Sequence, residues 1–94
     1  MDKITMKTKG ISGQVEVPPG DYAVAAAPEN TSIVLAGHGK NYVLKAINRR
    51  TPASAKAKKT SVNFYSMGGD QWTIAVTVPH RGEWVAFIQM EKPK

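Results

Sequence analysis

The feature that most constrains the fold is a two-residue repeat of apolar side chains near the C-terminus. Between Gln71 and Val78, the large apolar residues all occupy alternate positions: Trp72, Ile74, Val76 and Val78. Side chains of a β-strand point alternately to opposite faces, so this pattern predicts a strand with one buried face. The stretch from Glu83 to Met90 is apolar on both faces, which is typical of a central strand. Trp72 and Trp84 each begin an inward stripe and are predicted to lie in the core.

Turn-forming residues divide the rest of the chain into short segments of similar length. Further strands are predicted at 3–9, 21–27, 31–36, 42–47 and 61–66. Residues rich in Pro, Gly and Asn separate most of these segments, at 18–21, 28–30, 37–39, 68–70 and 79–82. Their spacing of about eight to twelve residues is typical of a sandwich or small barrel. We therefore expect an all-β fold, a small antiparallel β-sandwich or partly open barrel of about seven or eight short strands. The last three strands are predicted to form a meander.

A corner between two of these segments supports the sandwich. The stretch from Val15 to Val24 reads VEVPPGDYAV. It resembles the Pro-Gly-x-Tyr-x-Val corner of small β-sandwich accessory domains on bacterial surface proteins. The resemblance covers about ten residues. It implies a tight turn leading into a strand of a sandwich, and it implies no function.

Length and composition indicate one soluble domain. The 94 residues are predicted to form a single domain over positions 1–94. Charged residues make up 21% and hydrophobic residues 41%, a globular balance. Since no apolar run approaches the roughly 20 residues of a membrane-spanning helix, we expect no membrane span. The N-terminus alternates in polarity and does not resemble a signal peptide. The protein is expected to be cytoplasmic, or secreted or periplasmic with its leader removed.

The residues that usually carry catalysis form no recognisable set. The chain has no cysteine, which excludes disulfides, thiolate catalysis and cysteine metal sites. His38 and His80 lie in predicted turns, whereas a zinc site needs three or four ligands and a catalytic base needs an oriented partner. The acidic residues show no spacing that predicts a shared acid–base site. We therefore expect no enzymatic activity, no cofactor and no metal site, with both histidines facing solvent.

Positive charge is concentrated in the middle of the chain. Between Glu29 and Asp70 there is no acidic residue, but 7 of the 13 lysines and arginines lie there: Lys40, Lys45, Arg49, Arg50, Lys56, Lys58 and Lys59. Elsewhere six basic residues balance seven acidic ones, so the net charge of +6 comes from this region. Residues 49–59, the basic segment, contain no large apolar residue and are predicted to form a long exposed loop. A short helix beginning after Thr51, with Pro52 at its first position, is an alternative.

The basic segment is the predicted binding site. The candidate binding residues are Arg49, Arg50, Lys56, Lys58, Lys59 and Tyr65. Tyr65 is included because alternation places it on the polar face of the strand that follows the segment. We expect a non-catalytic interaction domain that engages an acidic partner, with a protein favoured over other partners. One alternative is nucleic-acid binding by the same patch, and another is a solvated loop whose charge only aids solubility.

The first strand suggests a further alternative. Lys3, Lys7 and Lys9 alternate with Ile4 and Met6, and lysines commonly protect an edge strand from pairing with another chain. We predict an edge strand here. If it instead pairs with a second chain, the protein is a structural assembly subunit, and the sequence leaves the oligomeric state open. The main hypothesis fails if acidic residues from elsewhere in the fold already neutralise the basic segment.

Overall fold

The fold consists of two antiparallel β-sheets. A computed structural model describes residues 3–27, 29, 31–49, 51–52 and 56–91. These residues contain ten strands: β1 (Lys3–Met6), β2 (Gly10–Ser12), β3 (Val15–Val17), β4 (Gly20–Ala27), β5 (Ser32–Gly37), β6 (Lys40–Lys45), β7 (Ile47–Arg49), β8 (Ser61–Gly68), β9 (Gln71–Val78) and β10 (Gly82–Met90). No helix in this part of the chain has the length and apolar character needed to cross a membrane.

The two sheets differ in size and connectivity. The smaller sheet has the order β1-β4-β5-β6, and the larger has the order β3-β2-β10-β9-β8, with β7 also paired to β10. β9 occupies one edge of β10 along nearly its whole length. β2 and β7 therefore share the other edge, β2 near Met90 and β7 near Glu83. The predicted meander of the last three strands is confirmed.

The core lies between the inner faces of the two sheets. The smaller sheet contributes Ile33, Leu35 and Leu44, and the larger contributes Ile74 and Val76, all 0% exposed. Trp84 is also buried in this cluster, as predicted, while Trp72 packs against it from a partly exposed position. Burying a large aliphatic side chain stabilises a fold by about 1.5–3 kcal/mol, so this layer supplies the main driving force for the sandwich. The predicted all-β sandwich is confirmed.

The chain changes sheet where a single strand was predicted. The segment predicted at 42–47 is divided: β6 ends at Lys45 in the smaller sheet, and β7 begins at Ile47 in the larger. At the crossing, the Ala46 N–H donates a hydrogen bond of 3.0 Å to the Thr31 carbonyl. The count of ten exceeds the expected seven or eight because strands of three residues, such as β2 and β7, are too short to show an alternation.

Candidate binding surface

Two aromatic rings stand on the outer face of the larger sheet. Tyr65 of β8 and Phe87 of β10 are both paired in register with Thr73 of β9, which lies between them. The rings are 46% and 47% exposed, whereas Thr73 is only 1% exposed. Thr73 is buried although it faces outward, because the large side chains on either side of it exclude water. Tyr65 faces outward as its alternation predicted.

The apolar surface continues toward β7. The next row of the sheet pairs Ala75 with Val85 and Val85 with Ile47. Ile47 is 55% exposed, while Ala75 and Val85 beneath it are almost fully covered. We call Tyr65, Phe87, Val85 and Ile47 the outer patch. Where β2 and β7 leave a gap along β10, a cleft of about 370 Å³ opens between Gly13 and Ile47, with Lys45 also in its wall.

Phe87 and Ile47 were not among the predicted site residues. The central strand predicted at 83–90 is confirmed, since β10 has neighbours on both edges. Its outer face nevertheless meets solvent, and Phe87 on that face is 47% exposed. The signal was present in β9, where Thr73 and Thr77 alternate with the apolar stripe and indicate that the outer face of this sheet is not covered by another layer.

Arg49 is neutralised within the fold. It lies in β7, directly opposite Glu83 of β10, and its Nη2 is 2.7 Å from the Glu83 Oε1. The two side chains are 58% and 19% exposed. A cross-strand pair of this kind contributes about 0.2–1 kcal/mol. Arg49 is therefore half of a neutral pair and not a free cation.

Among the described residues, the lysines of the basic segment have no such partners. Lys56, Lys58 and Lys59 are exposed, and no ion pair within the described residues involves them. The ion pairs found there use Arg49, with Glu83, and Lys9, which lies 3.9 Å from Glu16 and 3.7 Å from Glu91. The acidic residues that form ion pairs thus neutralise other cations. The binding hypothesis fails for basic residues that acidic residues of the fold already neutralise. Within the described chain this applies to Arg49 and not to Lys56, Lys58 or Lys59.

The basic segment lies at one end of the outer patch. It leaves β7 beside Glu83 and enters β8 at Ser61, so it crosses the end of the sheet over three strand spacings, about 14 Å. Tyr65 follows Ser61 by four residues, about 13 Å along β8. Pro52 and Lys56 have helical backbone conformation, but the short helix considered as an alternative after Thr51 would run through residues that the structure does not describe. Arg50 and residues 53–55 lie outside the described residues.

The two histidines sit in strained turns. His38 and His80 have positive φ angles of 55° and 62°, a region that non-glycine residues rarely occupy. His80 is exposed as expected. His38 is also exposed, as expected. Its ring in addition packs against the Tyr22 ring, with 5.5 Å between the ring centroids, and lies over Gly20. In the described part of the chain, no group of three or more His, Asp or Glu side chains is placed to hold a metal ion.

Comparison with known proteins adds no relative. No protein-family model matches the chain, and neither a curated protein nor a solved structure shows significant similarity to it. Function is therefore inferred from the chemistry of the surface described above.

Proposed function

We propose that this protein is a non-catalytic binding domain that engages an acidic protein through its basic segment and outer patch. The observation that carries the proposal is the position of Lys56, Lys58 and Lys59, exposed and without ion-pair partners in the described chain, at the end of an exposed apolar sheet face.

The two parts of the surface have different physical roles. Exposed aromatic and aliphatic side chains clustered on one face are characteristic of protein interfaces, where Tyr and Phe are enriched. Tyr65, Phe87 and Ile47 would lose exposed apolar area on binding, which supplies affinity. The lysines speed association with an acidic surface and make binding sensitive to salt. Arg50 lies outside the described residues and is kept among the proposed binding residues because it belongs to the basic segment.

The test compares two variants with the same change in charge. We expect Lys56→Gln/Lys58→Gln/Lys59→Gln to lose at least about tenfold in retention of acidic proteins from a cell extract, the equivalent of about 1.4 kcal/mol. The control, Lys3→Gln/Lys7→Gln/Lys40→Gln, removes three exposed lysines outside the basic segment. It should retain the acidic proteins as well as the wild type does. Quantitative mass spectrometry of the captured proteins measures both. Equal capture by all three proteins would contradict a role for the basic segment.

Binding of single-stranded nucleic acid is a second candidate, favoured by the aromatic pair. Rings exposed on a sheet face beside lysines can stack on bases while the cations contact phosphates. Tyr65 and Phe87, on either side of Thr73, form such a pair near the basic segment. Stacking of this kind contributes about 1–3 kcal/mol per base.

Fluorescence anisotropy separates the two candidates. Labelled single-stranded DNA and RNA are titrated at about 50 mM and about 200 mM salt, where binding through phosphates differs strongly in affinity. Salt-sensitive binding that weakens in Phe87→Ala would favour nucleic acid. Absence of salt-sensitive binding to either polymer would eliminate this candidate and leave the protein partner.

A further inference from the structure

Most strand edges of the sandwich carry features that hinder pairing with another chain. β1 has four residues and carries Lys3, and β6 begins and ends with a lysine. β3 has three residues and is followed by Pro18, and β7 has three residues and ends at Arg49. Short length, lysine and proline are the usual means of protecting an edge. The edge position predicted for the first strand is confirmed, and its pairing with a second chain stays a prediction.

The edge strand β8 lacks these features. It has eight residues, Ser61–Gly68, and none of them is charged or a proline. Among the described strands it pairs only with β9, in a register that is regular up to Ser66. In an antiparallel pair, every second residue directs both its N–H and its C=O to the same neighbour. Half of the residues from Ser61 to Ser66 therefore direct these groups away from β9, toward the position of an added strand.

Apolar side chains lie beside this edge on both faces of β8. On the inner face, Val62 and Phe64 pack against the core but remain partly exposed. Phe64 also lines a cleft of about 350 Å³ with Trp72, and the centroids of the two rings are 4.7 Å apart. On the outer face, Tyr65 belongs to the outer patch. Because side chains of adjacent strands lie side by side, a segment with apolar residues at alternate positions would cover Val62 and Phe64.

Positive charge lies next to one end of β8. Lys58 and Lys59 precede Ser61 by three and two residues, which places them at most about 11 Å from it along the chain. Both lysines are exposed, and neither forms an ion pair within the described residues. A segment that pairs with β8 and continues past Ser61 would approach these lysines. Acidic residues in that continuation are therefore complementary to this end of the edge.

We propose that an extended segment of the acidic partner adds to β8 as a further antiparallel strand. All pairs of the larger sheet are antiparallel, and antiparallel pairing is slightly more stable per residue than parallel pairing. Such a segment runs opposite to β8, so its C-terminal end lies at Ser61. The recognised segment has apolar residues at alternate positions, followed by acidic residues that lie near Lys58 and Lys59. This inference rests on the proposed function and adds the way in which the partner binds.

A synthetic peptide is the probe. It has about six alternating valine and threonine residues followed by about three glutamates, and fluorescence anisotropy measures its binding. We expect saturable binding that falls about tenfold or more when lysines replace the glutamates. Lys56→Gln/Lys58→Gln/Lys59→Gln should weaken binding to a similar extent, whereas Lys3→Gln/Lys7→Gln/Lys40→Gln should bind like the wild type. Absence of saturable binding at millimolar peptide overturns the inference.

Backbone methylation of the same peptide tests strand pairing without changing any charge. A methyl group on a peptide nitrogen removes the N–H donor and keeps a neighbouring strand from approaching. Only one of the two alternating sets of nitrogens faces β8 in an added strand. Methylation of that set should weaken binding about tenfold or more, and methylation of the other set should change it little. An equal effect of the two sets overturns strand addition.

Amide hydrogen exchange locates the bound peptide. We expect slower exchange at alternate amides between Ser61 and Ser66 in the complex. The amides of β6, an edge that carries its own lysines, should exchange as in the free protein and serve as the internal control. Slower exchange at β6 without slower exchange at β8 overturns the inference. Far-UV circular dichroism verifies that each variant is folded.

Failure of this inference can be told apart from failure of the proposed function. If the triple lysine variant loses the acidic proteins but both methylated peptides bind equally, strand addition is wrong and the proposed function stands. If the same variant captures acidic proteins as the wild type does, the role of the basic segment is wrong, and the inference fails with it.

Discussion

At the scale of single residues, Tyr22 shows how a buried polar side chain fixes a corner of the sandwich. It is 1% exposed, and its hydroxyl donates a hydrogen bond of 2.5 Å to the Pro18 carbonyl. Its ring packs edge-on against Tyr42 at 5.8 Å. The bond ties β4 back to the proline turn where the chain leaves the larger sheet. The hydrogen bond from Tyr22 therefore stabilises the Pro-Gly-x-Tyr corner to which this tyrosine belongs.

The burial of Tyr22 predicts a loss of stability in alkali. Burial raises the pKa of Tyr22 above its ordinary value of 10.0, and the charge of nearby Tyr42 raises it further. The unfolded chain therefore ionises first, so the stabilisation is fully present below about pH 10 and is lost as pH rises through the raised folded pKa. Urea unfolding from about pH 8 to about pH 11 should show a steeper fall in wild type than in Tyr22→Phe. Equal slopes would contradict this assignment.

At the scale of elements, the pairing of β7 with β10 depends on a close approach between their backbones at Gly82. Gly82 has a φ of 114°, and a Cβ built on it would lie 2.6 Å from the Arg49 carbonyl oxygen. The next residue, Glu83, pairs with Arg49 both in the sheet register and through its carboxylate. Glycine is therefore required here for conformation and for space. The contact places Ile47 beside the other outer-patch residues.

A substitution at Gly82 should separate these two requirements. Gly82→Ala incurs strain at positive φ and also meets the Arg49 backbone, so it should displace β7. Gly39→Ala incurs strain at a φ of 71° with no atom within 4 Å, and serves as the control. Strain of this kind costs about 1–3 kcal/mol, and we expect Gly82→Ala to cost more than Gly39→Ala. Urea unfolding measures both, and changed amide resonances at Asn48 and Arg49 report the displacement. Equal costs with unchanged resonances would contradict the role of Gly82.

At the scale of the whole molecule, the two sheets share one core. β5 of the smaller sheet packs against β10 of the larger, and the buried cluster contains residues from both. Neither inner face has another partner among the described residues. Removing one sheet would expose the apolar face of the other, so the sheets are expected to unfold together.

A core substitution in one sheet should therefore be detected in the other. Leu35→Ala in β5 removes a fully buried side chain and should lower the free energy of unfolding by about 2–5 kcal/mol. Both tryptophans lie in the larger sheet, so their fluorescence reports that sheet, while far-UV circular dichroism reports all strands. The two transitions should shift together. Val43→Ala, at a 50% exposed position, should change little. A shift in circular dichroism without one in fluorescence would show that the sheets unfold separately.

The sequence alone determined the fold class and the direction of several side chains. Alternation and turn residues are local properties, so β9, the meander and the outward position of Tyr65 followed from a few neighbouring residues. The exposure of Lys56, Lys58 and Lys59 followed in the same way, from a segment without large apolar residues.

Only the tertiary structure decided which face of each strand is covered and which charges meet. Arg49 and Glu83 are 34 positions apart in the sequence. They pair because the chain leaves the smaller sheet at Ala46 and continues as β7 beside β10. Phe87 is exposed because no layer of the described residues lies on the outer side of the larger sheet. Alternation divides a strand into two faces, but covering a face requires another part of the chain, brought there by contacts distant in sequence.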